Sequence, residues 1–188
     1  MTHEIECGLC RLRPWRAGDE STLVLHANNR EVWLNLRDRF PHPYTPADAR
    51  AWIQAATSRD PPTDFAIEVS GEAVGGVGVK LHEDVDRVSA ELGYWLGRTF
   101  WGRGIMPVAV RAATEYAFSS FGLTRVYALP YARNPASIRV LDKAGYVREA
   151  LLRRSAIKDG VVLDQVLLAI TDQDLARAPI TLSMSAPK

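Results

Sequence analysis

The chain has 188 residues, 47% of them hydrophobic and 24% charged, with a formal net charge of +1. That length suits one domain with a substantial core, and the balanced charge offers no basic field for nucleic acid. No apolar stretch reaches the roughly 20 residues that cross a bilayer, and the N-terminus, MTHEIECGLC, has no apolar signal segment, so a cytoplasmic protein with no membrane contact is expected. Cys7 and Cys10 form a CxxC, but no second pair of ligands exists to complete a zinc site. They read as ordinary thiols in or before the first strand, and no metal is expected.

Leu9 to Trp15 alternates as a short strand. Asp19 stands at the N-cap of an amphipathic helix running to about Arg30. Residues 32–44, VWLNLRDRFPHPY, mix aromatics, arginines and prolines without a period. Thr45-Pro46-Ala47-Asp48 has the form of a capping box with proline at the first helical position, and it opens a helix to about Ser58. Phe65 to Val69 and Ala73 to Leu81 predict a hairpin, and Val88 to Leu96 a third strand. Apolar residues at 105, 109, 112, 113, 116 and 117 have helical spacing over Ile105 to Phe121, with Gly122 as a stop.

Val126 to Pro130 predicts a strand and Pro135 to Ala144 a short helix. Tyr146 to Ile157 and Val161 to Ile170 predict a hairpin turning at Asp159-Gly160. Residues after Asp172 are expected to be loose. The order β-α-α-β-β-β-α-β-α-β-β predicts an α+β fold with a mixed sheet, in a single domain over 1–175 followed by a tail over 176–188.

The junction GYWLGRTFWGRGIMPV, residues 93–108, sets glycines and arginines between a strand and a helix. Two phosphate motifs fail there. The dinucleotide fingerprint would need glycine at Pro107, and Walker A would need Lys-Ser/Thr where Arg103-Gly104 stand. The underlying physics remains: glycines let a ligand approach the backbone, and N–H groups entering a helix form an anion nest. Taken alone, the stretch could equally be a tight corner before a core helix.

Three stretches together, ELGYWLG, WGRG and NPASIRVLDKAGY, resemble the GNAT superfamily of acyl-CoA-dependent N-acetyltransferases, and most the branch that includes RimJ and RimL. The resemblance covers about residues 9–171. It implies the GNAT fold: a mixed central sheet splayed between the strands before and after the main helix, with helices on both faces. It also implies acetyl-CoA as cosubstrate. Backbone groups of the loop Gly102, Arg103, Gly104, Ile105 and Met106 would take the coenzyme pyrophosphate. Leu96, Gly97 and Arg98 would run beside the pantetheine arm, Asn134 would contact it, and Arg98, Arg103, Arg139 and Lys143 are candidates to serve the adenosine phosphates. The loop departs from the family pattern at Trp101 and Met106, neither of which removes a backbone donor.

The resemblance also implies an amine that attacks the thioester directly, and no acyl-cysteine. Ser137, three residues after Asn134, matches the branch's proton donor to the leaving thiolate; its other reading is a helix cap. Glu91, on the same strand face as Gly93 and Trp95, is the candidate base, or else a solvent-facing carboxylate. His82, Tyr94 and Asp164 are weaker candidates for that task. Asn35, Arg37, Phe40 and Tyr44, with His82 and Tyr94, are expected to line the acceptor site, where Arg37 and Arg39 would suit a carboxylate-bearing acceptor and Asp38 a cation; the aromatics could equally pack a core edge. The expected protein is therefore an N-acetyltransferase acting on a protein N-terminal or small-molecule amine, with a homodimer possible. A catalytically silent acyl-CoA sensor is the alternative.

Overall fold

A computed structural model describes residues 3–177. The strands are β1 (Ile5–Glu6), β2 (Arg11–Pro14), β3 (Asp64–Val69), β4 (Glu72–Leu81), β5 (Ser89–Leu96), β6 (Arg125–Ala128), β7 (Val147–Lys158) and β8 (Val161–Thr171). The helices are α1 (Glu20–Ala27), α2 (Arg30–Trp33), α3 (Pro46–Ala56), α4 (Ile105–Phe121), α5 (Pro135–Lys143) and α6 (Asp172–Arg177). All eight strands form one sheet in the order β1-β2-β3-β4-β5-β6-β8-β7. Every neighbouring pair is antiparallel except β5 and β6, which are joined through α4.

That parallel pair is short. Ser89–Glu91 pairs with Arg125–Tyr127, and the rest of β5 has no strand partner on that side. The expected splay is therefore present, because two strands that twist apart after three residues cannot keep their ladder.

Side chains alternate between two cores. Phe65, Ile67, Leu92, Ile105, Ala109 and Val110 belong to the larger one, between the sheet and α4. Trp15, Leu23, Ala49, Ile53, Ala66 and Ala73 form the smaller one, beneath α1 and α3. Among the described residues no helix is long and apolar enough to cross a membrane.

Several local expectations are met. Thr45 Oγ1 accepts from the Asp48 N–H at 3.3 Å while Asp48 Oδ2 accepts from the Thr45 N–H at 2.8 Å, closing the capping box. Gly122, at φ 61°, ends α4 in the left-handed conformation that glycine adopts at least cost.

Others need correction. The first helix stops at Ala27, because Asn28 and Asn29 break it and Asn29 Oδ1 caps a new helix through the N–H groups of Glu31 and Val32. Asp19 caps nothing with its side chain. Its carboxylate is buried against the Arg13 guanidinium through two bonds of 2.8 Å, and Arg13 also reaches Glu68. The strand read from Leu9 begins at Arg11, after a turn that holds Cys7 and Cys10, and it is preceded by β1, whose two residues are too few to show periodicity. Asp172–Arg177 forms α6, where looseness was expected; Asp174 Oδ2 holds its start by accepting from the Thr171 N–H and hydroxyl. The rest of the expected tail lies outside the described residues.

Candidate active site

The loop from Trp101 to Gly104 delivers the chain into α4. Gly102 and Gly104 have φ of 76° and 78°, where a side chain is strained. A Cβ on Gly102 would meet nothing within 4 Å, and one on Gly104 only Leu9 Cδ1 at 3.5 Å, so the outer face of the loop is open. No side chain caps the helix that follows. Its first N–H groups lack intrahelical partners by construction, and the 17-residue helix adds its positive dipole end. Ile105 and Met106 bury their side chains, leaving the backbone to face a ligand. Pro107, with no N–H, sits in this first turn, where no helix bond is lost. The arrangement suits a phosphate or pyrophosphate.

The charged residues around the loop are less free than the sequence suggests. Arg98 bonds Glu31 at 2.5 Å and stacks over Trp101 at 4.8 Å. Arg103 lies over the Phe100 ring at 5.0 Å, and Arg139 and Lys143 are exposed on α5. Two expected pantetheine contacts already have partners: the Leu96 carbonyl accepts from the Trp101 indole at 2.7 Å, and the Gly97 N–H donates to Val74 at 2.8 Å. The open edge of β5 therefore lies mainly before Leu96.

In the splay, a cavity of about 100 Å³ is lined by Asn35, Glu91, Tyr94, Tyr131, Ser137 and Gln165, among others. Tyr94 Oη is 2.7 Å from Ser137 Oγ and also reaches the Ser137 carbonyl at 3.1 Å. Asn134 Oδ1 accepts from the Ser137 N–H at 3.1 Å, so Asn134, and not Ser137, is the side chain that caps α5. Burial pushes the Tyr94 phenol above its ordinary range, against the opposing pull of its bond to Ser137. The phenol thus stays protonated.

A second cavity, of about 800 Å³, lies between the sheet, α1, α3 and the segment before Thr45. Glu91, Gly93 and Tyr94 line both cavities and so mark where they meet. Arg37 reaches in from the irregular segment and ion-pairs with Glu91. Phe40 packs between Tyr44 and Trp95, with ring centroids 4.9 and 5.6 Å away. Tyr44 is buried, which raises its pKa to about 12. Asn35 bonds the Glu31 carbonyl at 2.9 Å and lines the splay cavity.

Three candidates are not brought in. His82 lines neither cavity; it stacks on Tyr127 and bonds its hydroxyl at 2.9 Å. Asp164 Oδ1 accepts from the Arg154 N–H at 2.7 Å, holding a bulge in β7. Asp38 pairs with Lys158 at 2.8 Å, so it is not free for a cationic acceptor. Lys158, which the sequence placed in the hairpin turn, is the last residue of β7 and fully buried, 3.7 Å over the Trp33 ring, and no local pattern signals that.

A mixed sheet splayed between β5 and β6, with an open glycine turn where the chain passes from β5 into α4, defines an α+β class with an anion site at a helix start. The acetyltransferase (GNAT) domain family matches residues 10–147, and the chain belongs to that family. It is 41% identical over 86 residues to a probable N-acetyltransferase of Bacillus subtilis, YjcK; that match covers 46% of this chain and 48% of the relative. The first curated relatives are thus matched over only 48% and 61% of their lengths. Among solved structures, Mycobacterium smegmatis RimJ in complex with CoA-disulfide aligns with TM-score 0.76 and 24% identity, over 94% of this chain and 90% of its own. RimL, a ribosomal alpha-N-protein acetyltransferase in complex with coenzyme A, aligns with TM-score 0.78 and 19% identity, over 90% and 98%. At these identities the two structures establish the fold.

Proposed function

We propose that the protein, acting as a single domain, transfers the acetyl group of acetyl-CoA to a primary amine by direct attack. The observation that carries this reading is a convergence at the splay. The free edge of β5 and the Tyr94–Ser137 hydroxyl pair border it, an acceptor-sized cavity meets it at Glu91, Gly93 and Tyr94, and β5 leads in the chain to the open glycine turn of α4. The coenzyme bound by the RimL and RimJ fold relatives supports the same reading.

In this reading the N–H groups from Gly102 to Met106 take the pyrophosphate, with Arg103 beside them as a counter-charge. The pantetheine arm adds to the unpaired edge of β5 as an extra strand would, with the Asn134 amide nitrogen, whose oxygen is occupied by the cap, within its course. The thioester then lies between Ser137 and Glu91.

The attacking amine must be neutral, and free α-amines and lysine side chains titrate near about 8 and 10.4. Glu91 serves the amine side. Held beside Arg37, it accepts the proton that the neutral amine's nitrogen sheds as the C–N bond forms. When the C–S bond breaks, Ser137 gives the departing sulfur a hydrogen bond. A hydroxyl is a far weaker acid than a thiol, so Ser137, held by Tyr94, stabilises the thiolate as a hydrogen-bond donor, and the proton shed by the amine balances the coenzyme thiol that is formed. Cys7 and Cys10, in the β1–β2 turn, line neither cavity, which supports a route without an acyl-enzyme.

The test is thiol release from acetyl-CoA over a panel of small amines and N-terminal peptides, with the wild type and Ser137→Ala. Turnover is expected on at least one class. Ser137→Ala should lower kcat by about 10²-fold, in the range for loss of a positioned donor, with coenzyme Kd little changed. Coenzyme binding without turnover on any acceptor would contradict the proposal and favour a sensor.

A further inference from the structure

The acceptor cavity contains a carboxylate that acetyl transfer does not use. Asp64 is the first residue of β3 and lines this cavity. Its register partner on β4 is Gly78, and a Cβ there would collide with Asp64 Oδ1 and stand 2.8 Å from the Thr63 carbonyl. A bare backbone at position 78 is what lets the carboxylate lie over the sheet. Thr63 Oγ1 donates to Oδ2 at 2.8 Å. Among the described residues the carboxylate has no ion pair, and no hydrogen bond reaches Oδ1.

Such a group is under-satisfied. Desolvation raises the Asp64 pKa; the Thr63 bond and the fields of Arg39 and Arg59, which do not touch it, oppose that rise. A half-buried carboxylate without a cation costs stability, and an arriving ammonium relieves that cost.

The floor leading away from it is equally specific. Gly78 pairs across to Gly93 on β5, where a Cβ would meet nothing within 4 Å. Gly78 and Gly93 therefore form a bare strip from Asp64 to the junction with the splay, beside Glu91. With strands about 4.8 Å apart, β3 and β5 stand about 10 Å from each other. Phe40, Trp52 and Trp95 line the cavity above this strip, and aromatic faces favour organic cations.

We infer that Asp64 is a specificity residue that takes a second cationic group on the acceptor, an ammonium or guanidinium about 10 Å from the amine to be acetylated. The inference rests on the acetyl-transfer reading and names its substrate class. Linear diamines and short peptides with a basic side chain carry this chemistry. The competing reading is an anionic acceptor held by Arg39 and Arg59, with Asp64 only setting their orientation. The interior, desolvated position of Asp64 against the exposed rim positions of both arginines favours the cation.

The experiment compares kcat/KM of the wild type and Asp64→Asn on α,ω-diamines of increasing length, basic and neutral N-terminal peptides, and monoamines of matched length. For the wild type a dicationic acceptor should be preferred. In Asp64→Asn the ratio of dication to matched monocation should fall about tenfold or more, through KM, and whether diamines or basic peptides show the fall identifies the source. An unchanged ratio, or a wild-type preference for carboxylated acceptors, would overturn the inference. If the wild type acetylates no amine, the acetyl-transfer reading fails. Calorimetric titration of a diamine into the protein loaded with coenzyme A then still decides the role of Asp64: wild-type binding weakened by Asp64→Asn supports it, and equal or absent binding refutes it.

Discussion

At the coenzyme end, the groups proposed to meet the ligand are backbone N–H donors of consecutive residues, Gly102 to Met106, feeding α4. The acceptor cavity is walled by side chains drawn from Trp15 to Trp95, on helices, strands and an irregular segment. The first needs only a local conformation, the two positive-φ glycines at the start of a helix. The second exists only once distant segments are docked. Arg37 reaches Glu91 because the segment before it is fixed from the far edge of the sheet: Lys158 is clasped between Trp33 and Asp38, and Arg30 bonds Asp159 at 2.6 Å. The lesson is that the two ends should fail separately and by different means.

The largest effect is expected from Gly104→Val. A β-branched residue at φ 78° is strained, and its side chain would enter the open face of the turn. Coenzyme A affinity measured by calorimetry should fall at least about 100-fold, a loss of about 2.7 kcal/mol. Affinity within a factor of about two would break the contrast at its coenzyme end.

Lys158→Met probes the other end. It keeps most of the buried volume but removes the contact over Trp33 and the bond to Asp38. Acceptor KM should rise about fivefold, corresponding to ~1 kcal/mol, while coenzyme affinity stays the same. Equal losses for both ligands would mean that the cavity and the nest are one cooperative unit.

The same division explains what the sequence could reveal. The Thr45 capping box, the helix from Ile105 to its stop at Gly122 and the Asp159-Gly160 turn are each specified within a few residues, and all are found as read. The two positive-φ glycines before α4 belong with them. Asp19 carries an N-cap signal, yet its carboxylate goes to Arg13, because a buried guanidinium outweighs one exposed N–H. Lys158 and Asp38 are 120 residues apart, so neither periodicity nor motif could join them. His82 looked available from its place at a strand end, but Tyr127 on β6, two strands away in the sheet, occupies it. Asp64 left a faint trace, an acid at a strand start, and its significance depends on Gly78 on the next strand.

The central claim, that the turn at Gly102–Gly104 and the splay together hold coenzyme A, is tested most directly by a crystal structure with coenzyme A bound. The expected result places the pyrophosphate on the N–H groups from Gly102 to Met106, the pantetheine arm along β5 before Leu96, and the sulfur within hydrogen-bond reach of Ser137 Oγ. A pyrophosphate bound away from the N-terminus of α4, or a sulfur outside the splay, would contradict it.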